Sequence, residues 1–429
     1  MSRAVVDTGT WMGSIPAHWE PKALKFCADL VAERIDGASV DAAYIGLEHI
    51  ESKKGRFVRN EGSQESAEST VSRFAAGDVL FGKLRPYLAK VAVAQSDGVC
   101  SSEILVYRPQ AIEPQYLKHV MLLEGFIDEI NASTFGSKMP RADPAFVSRL
   151  PIPQPPRDEQ LVIAAFLDAE TARLDMLSEE KTRLVDVLAE LRGSLIRERT
   201  AGLDQNLPLR DTNNQFMPKI PGRWDFTPVR RFASITNGST PLKDNAAFWL
   251  GGTYPWMNSA VVNLDDVTEG SEFVTEIALK QCHLPVVPAG SVLVALTGQG
   301  KTRGQATMLR IEATINQHLA AIVCDADHLD GEFLFWVLTG QYSALRMVSD
   351  GQGGTKGALT CDELGQFPIP KPSIETQRAI AKSLYADIRK IDDLIRHVNS
   401  EIELLQELRS STVTDAVLGR IDVRKHARH

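Results

Sequence analysis

The sequence predicts an α+β protein in which two similar globular domains are each followed by a long helix. The two helices are expected to pair as an antiparallel coiled coil, which gives the chain a pseudo-twofold internal repeat. Four short sequence blocks occur twice in the same order, the last being a proline-rich hinge that repeats 217 residues later (151 and 368). Each hinge opens a stretch with a heptad pattern, and two single apolar stripes of this kind are stable only when they cover each other.

The repeat is the first element of this prediction. The matched blocks are Ser14–Trp19 with Lys219–Trp224, Ala76–Leu80 with Ala289–Leu293, Gly136–Lys138 with Gly354–Lys356, and Pro151–Gln160 with Pro368–Gln377. Their order is kept while the offset drifts between 205 and 218 residues. That drift is expected for a duplicated domain with insertions and deletions in its loops, and the long period excludes a solenoid.

The long helices follow from the hinges. Proline cannot continue a helix, so a globular domain should end at each hinge. The heptad seam positions are Leu167, Leu174, Leu177, Leu184, Leu188, Leu191 and Leu195 in the first helix, and Leu384, Ile388, Ile391, Ile395, Val398, Ile402 and Leu405 in the second. A helix over 158–199 would be about 60 Å long. The alternative is two ordinary amphipathic helices, each packed on its own domain.

Strand-like runs alternate with turn signals in both globular parts. Strands are expected at 78–81, 104–107, 291–295 and 319–323, and helices at 114–130 and 331–348. The predicted domain division is 1–155 for the first globular domain, 156–205 for the first long helix and a linker, 206–372 for the second globular domain, and 373–429 for the second long helix and a basic tail.

Composition restricts the function. The 429 residues carry a formal net charge of −8, which gives no general sign of a nucleic-acid binder, although the two helix stretches hold much of the negative charge. No apolar run approaches the length of a membrane span, so no membrane contact is expected. The five cysteines are scattered singly, which argues against a zinc site or disulfide framework and favours the reducing cytoplasm.

No catalytic constellation is found in the sequence. The segment Leu296–Thr302 comes within one residue of a Walker A loop, but Arg303–Met308 is a poor start for the helix that a phosphate loop needs. A nucleotide hydrolase acting through Lys301 is therefore the least favoured alternative. Asp143–Phe146 only partly matches an amino-methyltransferase pocket, and the nine histidines lack partners at catalytic or metal-binding spacing. The prediction is that the chain has neither catalytic nor metal-binding residues.

Two equivalent loops carry side chains suited to DNA. Lysine and arginine bind phosphates or guanine edges, and glutamine or asparagine pairs with adenine. The first loop carries Lys83, Arg85, Tyr87 and Lys90, and the second carries Gln299, Lys301, Arg303 and Gln305. Two glycine-containing segments, Gly136–Arg141 and Gly351–Lys356, allow backbone amides to approach a phosphate. Solvated surface loops and structural turns are the alternative interpretations.

Further segments complete a recognisable pattern: Ile15–Trp19, Ile220–Trp224, Leu84–Leu88, Gly98–Glu103 and Thr314–His318. Together with the two Pro-Ile-Pro hinges, and over nearly the whole chain, they resemble the DNA-specificity subunit of type I restriction-modification systems. The chain varies only the usual acidic-Glu-Gln ending of each hinge.

The resemblance implies two target-recognition domains, each reading half of a bipartite site in double-stranded DNA. It implies that the coiled coil sets the spacing and docks two methyltransferase subunits, and that restriction subunits are further partners. S-adenosylmethionine is expected in the methyltransferase subunit and no cofactor in this chain, which would be non-catalytic. The expected DNA-binding residues are Lys83, Arg85, Tyr87, Lys90, Ser101, Ser102, Lys138, Arg141, Gln299, Lys301, Arg303, Gln305, Asn316, Gln317 and Lys356. The alternative from another class is an interaction scaffold with two binding modules and no DNA role.

Overall fold

A computed structural model describes residues 4–36, 42–58, 70–134, 139–298, 300–350 and 357–425, the side chain of residue 425 excepted. The chain forms two compact units, unit 1 with residues 1–182 and 400–429, and unit 2 with residues 183–399. Each unit contains one globular domain and the adjoining parts of two long helices. The predicted fold class, an α+β chain with two globular domains and two long helices, is confirmed.

The globular domain of unit 1 is built on two four-stranded sheets, with strand orders β4-β11-β8-β9 and β5-β7-β10-β6. Its strands are β1 Val5–Asp7, β2 Ser14–Pro16, β3 Glu20–Ala23, β4 Ala28–Val31, β5 Arg34–Asp36, β6 Tyr44–Ile45, β7 Thr70–Phe74, β8 Val79–Gly82, β9 Val91–Val93, β10 Gly98–Ser101, β11 Ile104–Pro109 and β12 Pro151–Gln154. Its helices are α1 Pro114–Met121, α2 Glu124–Ala132, α3 Pro144–Arg149 and the start of the long α4, Arg157–Thr200. The hinge strand β12 pairs antiparallel with β3 in a two-stranded ladder, where proline is tolerated because both strands are edges.

The globular domain of unit 2 is built on a five-stranded and a three-stranded sheet, with orders β16-β23-β20-β21-β18 and β19-β17-β22. Its strands are β13 Leu209–Asp211, β14 Lys219–Pro221, β15 Asp225–Pro228, β16 Ala233–Asn237, β17 Tyr254–Met257, β18 Asp266–Val267, β19 Glu272–Val274, β20 Val292–Ala295, β21 Ala306–Leu309, β22 Thr314–Ile315, β23 Leu319–Cys324 and β24 Pro368–Lys371. Its helices are α5 Ala246–Trp249, α6 Glu276–Gln281, α7 Gly331–Gly340, α8 Tyr342–Asp350, α9 Cys361–Gln366 and the long α10, Ile374–Val417. The second hinge strand β24 pairs with β15, as β12 pairs with β3.

The four expected strands are confirmed as β8, β11, β20 and β23. The two shorter helices are longer in the prediction than in the structure, because each is a pair of helices. Leu123 is extended between α1 and α2, with φ −62° and ψ 134°, and Gln341 ends α7 before α8 begins. The apolar spacing continues through both breaks, so periodicity alone does not show them.

The long helices α4 and α10 each have 44 residues and lie antiparallel within each unit. Interhelical ion pairs establish this direction, because the partner's number falls as the position along α4 rises. These pairs are Asp175–Arg409 and Lys181–Glu401 in unit 1, and Arg192–Asp392 and Arg199–Asp387 in unit 2. The antiparallel coiled coil predicted from the heptads is confirmed.

Burial along the heptad seam is uneven. Leu167 of α4 and Val417 of α10 belong to the hydrophobic core of unit 1, so the helices are built into that globular domain. Leu184 and Leu191 of α4 are 42% and 50% exposed. The expectation that the partner helix buries every seam residue is therefore wrong at these two positions. No helix in the described parts of the chain has the length and apolarity to span a membrane.

A buried glutamine stands at the start of both long helices. Gln160 accepts a hydrogen bond from the amide of Glu113 at 2.8 Å and donates one to the carbonyl of Pro155 at 2.8 Å. Gln377 accepts from the amide of Asp330 at 2.9 Å and donates to the carbonyl of Pro372 at 3.0 Å. Each glutamine thus joins its hinge to the residue that precedes α1 or α7, at the same place in the two copies.

Candidate nucleic-acid interface

The candidate site in unit 1 forms where β8 ends. The amide of Lys83 donates to the carbonyl of Glu103 at 2.9 Å, and the carbonyl of Lys83 accepts from the amide of Ala142 at 2.8 Å. These bonds hold together the end of β8, the turn between β10 and β11, and the segment before α3. The structure therefore brings Lys83, Ser102 and the neighbouring Arg141 into one region, while Ser101 of the same turn is buried.

Arg85 is held in an unusual backbone conformation. Its φ of 52° is left-handed, which a residue with a Cβ seldom adopts, and Ala89 at the other end of the same one-turn helix has φ 45°. The amide of Arg85 donates to the carbonyl of Pro140 at 2.8 Å. The side chains of Arg85 and Tyr87 are exposed. Backbone strain of this kind is common in segments that present side chains for binding.

The remaining candidates of unit 1 have partners within the protein. Arg141 donates through Nε to both carboxylate oxygens of Glu103, at 3.0 and 3.2 Å, while half of its side chain stays exposed. The Nζ of Lys90 donates to the carbonyl of Leu47 at 2.6 Å. Ser101 is buried, and its hydroxyl accepts from the amide of Glu103 at 3.2 Å. Lys90 and Ser101 therefore support the loops, and Arg141 keeps an exposed edge.

In unit 2 the loop after β20 is held against α8. The hydroxyl of Tyr342 donates to the carbonyl of Lys301 at 2.8 Å, and Arg346 donates to the carbonyl of Gly300 at 2.6 Å. These backbone contacts leave the side chain of Lys301 exposed. Thr302 leads through a turn at Gly304 into β21, so no helix follows the lysine and a Walker A geometry is not formed.

Arg303 and Gln305 lie differently from the sequence expectation. The side chain of Arg303 is only 6% exposed and forms an ion pair with Asp350. The carboxamide oxygen of Gln305 is buried and has no hydrogen-bond partner among the described residues. The expectation that Arg303 presents its guanidinium to DNA is therefore corrected, since the group is enclosed by its own domain.

A polar cluster forms at the turn between β22 and β23. Asn316 is buried, and its side-chain oxygen accepts from the amide of His318 at 3.0 Å. Gln317 is exposed, and its side-chain oxygen accepts from the hydroxyl of Thr240 at 2.5 Å. Nδ1 of His318 lies 3.0 Å from the hydroxyl of Thr297. Asn316 therefore shapes the turn, while Gln317 is the member on the surface.

Unit 2 also has a basic and aromatic cluster that was not predicted from the sequence. Nζ of Lys243 lies 3.9 Å from the ring centroid of Trp249 and 4.9 Å from that of Trp256. Its ammonium group also pairs with Glu272. Lys243, Trp249 and Trp256 are far enough apart in sequence that neither periodicity nor a motif indicates their contact. Lys138, Gln299 and Lys356 lie outside the described residues.

Comparison with known proteins decides the family. The model of the type I restriction modification DNA specificity domain matches the chain twice, over residues 51–185 and 221–404. The chain belongs to this family. Within it the chain is a specificity subunit that carries two stretches matching the family's specificity domain, one in each half of the chain.

Curated relatives of this specificity subunit align over different lengths. The type I restriction enzyme MjaIX specificity subunit of Methanocaldococcus jannaschii is 28% identical over 193 residues, covering 44% of this chain and 43% of the relative. The EcoR124I/EcoR124II specificity subunit of Escherichia coli is 21% identical, covering 54% and 56%. These alignments span about half the length of those relatives. The putative MjaX specificity subunit of M. jannaschii is 23% identical over 97% of this chain and 96% of its own length.

Solved structures share the fold of this specificity subunit. One chain, from work titled as the structural basis of complex assembly and conformational transition of the type I R-M system, superposes with a TM-score of 0.71 at 21% identity, covering 95% of this chain and 99% of its own. The HsdS subunit from Thermoanaerobacter tengcongensis gives 0.56 at 20% identity, covering 95% and 98%. At such identities the likeness establishes the fold alone.

Proposed function

We propose that this specificity subunit binds a two-part site in double-stranded DNA, with one part read by each globular domain. The observation that carries the proposal is that both copies present polar side chains at the same place. The turn after β10 and the loop after β8 in unit 1 correspond to the turn after β22 and the loop after β20 in unit 2. A duplicated protein with two equivalent polar surfaces suits a ligand that also has two separate parts.

The exposed side chains at these places have the chemistry that DNA recognition needs. Arg85 and Lys301 are exposed cations, suited to phosphates or to guanine. Gln317 is exposed in the turn that corresponds to the turn of Ser102 in unit 1, and its carboxamide can exchange hydrogen bonds with base edges. The net charge of −8 does not oppose this role, because affinity for phosphates depends on the local patch.

The long helices are proposed to dock two methyltransferase subunits, with restriction subunits joining the same assembly. Support comes from large apolar side chains that the two helices leave exposed. On α4 these include Leu184, Val187 and Leu191, and on α10 Leu394, Leu404 and Leu408. Exposed apolar residues in such number indicate contact with another protein.

Catalysis is proposed to reside in the partners. Within the described residues, no group of three or more His, Cys, Asp or Glu side chains is arranged to hold a metal ion. S-adenosylmethionine would bind to the methyltransferase subunit. This chain would determine which DNA sequence is recognised and the distance between the two parts of that DNA site. We assign the control of this distance to the coiled coil.

The test is a methylome. The chain is co-expressed with the methyltransferase subunit from its own locus, and methylated adenines are mapped by single-molecule sequencing. A new two-part motif with a constant non-specific gap is expected. The matched control expresses the methyltransferase subunit alone and should give no new motif.

The scaffold alternative predicts a different outcome. An assembled complex that methylates no new motif, and that binds duplex DNA with no dependence on salt, would contradict the proposal. It would favour an interaction scaffold, since binding to DNA phosphates weakens steeply as salt is raised.

A further inference from the structure

Arg409 of α10 joins three separate parts of unit 1. Its Nε donates to a carboxylate oxygen of Asp175 on α4 at 2.9 Å. Its Nη1 donates to the carbonyl of Lys53 at 3.1 Å, and its Nη2 to the carbonyl of Lys54 at 3.3 Å. The side chains of Arg409 and Asp175 are 16% and 7% exposed. One guanidinium thus connects both long helices to a loop of the globular domain, and we call this contact joint 1.

Arg192 of α4 occupies the corresponding place in unit 2. Its Nε donates to Asp392 of α10 at 2.8 Å, and its Nη2 contacts the second oxygen of the same carboxylate at 3.4 Å. The same Nη2 lies 4.0 Å from a carboxylate oxygen of Asp265, in the globular domain. We call this contact joint 2. It is the looser of the two, because Asp265 is largely exposed.

The two joints are copies of each other. Asp392 stands 217 residues after Asp175, and Arg409 stands 217 residues after Arg192, the same offset as the hinges. The domain side of each joint also corresponds, because each loop follows a short 3₁₀ helix, Leu47–His49 or Ser259–Asn263. In joint 1, Arg409 lies on α10, which follows the second globular domain in the chain, yet it contacts the first domain. In joint 2, Arg192 lies on α4, which follows the first globular domain, yet it contacts the second domain.

The interhelical pairs outside the joints lack this symmetry. The residues 217 positions from Lys181 and Glu401 are Val398 and Leu184, which cannot form an ion pair. Arg199 pairs with Asp387 at 2.8 Å, but Ala416 stands at its equivalent position. Two ion pairs are therefore repeated at equivalent positions, and both of them reach a globular domain.

Physical chemistry gives the joints a defined role. A guanidinium presents several donors in a rigid plane, so satisfying three acceptors at once restricts where each acceptor can lie. Lysine offers a single ammonium on a flexible stem and cannot hold the same geometry. In joint 1 the guanidinium therefore restricts where the loop at Lys53 and Lys54 lies on the helix pair, in addition to the hydrophobic core that the helices share with the domain.

We infer that Arg409 and Arg192 are positioning residues that determine the length of the gap in the recognised DNA, without touching DNA themselves. The inference rests on the proposed function, in which each domain reads half of the site. If a domain can tilt on the helices, its reading surface moves relative to them, and neighbouring gap lengths become acceptable. The bases read in each half should not change, because the reading loops are untouched.

The experiment measures methylation across gap lengths. Pooled duplexes carry the two halves of the wild-type motif separated by gaps from a few base pairs shorter to a few longer, and they are methylated by the assembled complex. Arg409→Lys keeps the positive charge and the pairing with Asp175 but loses the planar set of guanidinium donors that bond to the carbonyls of Lys53 and Lys54. The share of methylation at gaps adjacent to the wild-type length should rise about tenfold, which corresponds to ~1.4 kcal/mol of lost discrimination.

Arg199→Lys is the matched control. It makes the same substitution in another interhelical Arg–Asp pair, whose arginine bonds to Ser383 and Asp387 of α10. Its gap distribution should stay at that of wild type. The exchange of charges Arg192→Asp with Asp392→Arg tests joint 2, because it restores the interhelical pair but sets two carboxylates beside each other at Asp265. Relaxed gap selection is expected there too.

The outcomes distinguish failure of the proposed function from failure of the role inferred for Arg409 and Arg192. A wild-type complex that methylates no two-part motif contradicts the proposed function itself. With wild type active, a uniform loss at all gaps in Arg409→Lys, with the gap distribution unchanged, overturns the inference and leaves a purely structural role. Full gap selection in the charge-exchanged variant would likewise overturn it at joint 2, since helix pairing alone would then suffice.

Discussion

At the scale of single residues, the same side-chain chemistry has different uses in different surroundings. Lys301 and Arg303 are two residues apart, yet the first is exposed and the second is enclosed and paired with Asp350. A turn at Gly304, whose φ of 83° favours glycine, leads from Arg303 into β21. Charge in the sequence therefore does not show which cation of the loop is exposed and which is enclosed.

The pair Lys301 and Arg303 leads to the first prediction. Lys301→Ala should weaken DNA binding by the assembled complex by about 1–3 kcal/mol if it contacts a base, and leave the thermal unfolding temperature unchanged. Arg303→Met should lower the unfolding temperature, because it removes the buried guanidinium that pairs with the exposed carboxylate of Asp350. Differential scanning calorimetry and DNA titration check both. Equal effects of the two variants on stability would contradict this assignment.

The second prediction concerns His119, a buried residue whose Nε2 lies 2.8 Å from Asp168. Burial lowers the pKa of His119 to about 4, outweighing the bond to Asp168, which raises it. The unfolded chain therefore takes up a proton near pH 6.5 while the folded chain does not, so stability falls as the pH drops from 6.5 towards 4. Between pH 7 and pH 5 the loss should be about 2 kcal/mol.

Urea unfolding at both pH values, in wild type and His119→Gln, measures this loss. Glutamine can still donate to Asp168 but does not titrate, so the variant should lose less stability on acidification. His397→Gln, at an exposed position on α10, is the control and should behave as wild type. Identical pH dependence in wild type and His119→Gln would contradict the prediction.

At the scale of elements, the two copies connect the hinge to the globular domain through the same residue, a glutamine. Gln160 and Gln377 each satisfy one backbone amide and one hinge carbonyl that the fold buries. The prolines within each hinge lack backbone N–H groups, so the glutamine side chain supplies a donor for a hinge carbonyl. The role was not evident from sequence, where glutamine at the start of a helix is ordinary.

The third prediction concerns these glutamines. Gln377→Leu should destabilise the protein by about 1–3 kcal/mol for each group left unsatisfied, here the amide of Asp330 and the carbonyls of Pro372 and His328. Gln160→Leu should cost less, since among the described residues Gln160 bonds to only two groups, the amide of Glu113 and the carbonyl of Pro155. Thermal unfolding measures both, with Gln406→Leu, an exposed position on α10, as the control. A variant as stable as the control would show that water replaces the lost bonds.

At the scale of the whole molecule, duplication is the organising feature. The hydrophobic core of each unit includes residues of both long helices, for example Leu167 and Val417 in unit 1 and Ile196 and Ile388 in unit 2. Neither helix is therefore a detachable linker. The distance along the helices between equivalent positions is a property of the complete chain, and it is the quantity that the proposed ruler would use.

The fourth prediction tests this length. Deleting residues 181–187 and 397–403 removes one heptad from each helix between the Asp175–Arg409 and Arg192–Asp392 pairs, and keeps the heptad phase. The helices shorten by about 10 Å, or about three base pairs of DNA. Methylome sequencing should show loss of the wild-type gap, and any remaining motif should have a gap shorter by about three base pairs. Retention of the wild-type gap would contradict the ruler.

Local sequence determined much of the fold. The heptads in 158–199 and in the second helix predicted both long helices, and four strand runs were placed correctly, because side-chain periodicity reports on neighbours in the chain. The breaks at Leu123 and Gln341 were missed because the apolar spacing continues through them.

The sequence by itself determined that the chain is a duplicated α+β protein with two paired helices, because repeats and periodicity are properties of residues close together in the chain. Only the tertiary structure decided that the side chain of Arg303 is enclosed and that of Leu184 is exposed. It also decided that Arg409, on the helix after the second domain, donates a hydrogen bond to Lys53 of the first domain. Burial and ion pairing depend on groups far apart in sequence, whose meeting no local pattern encodes.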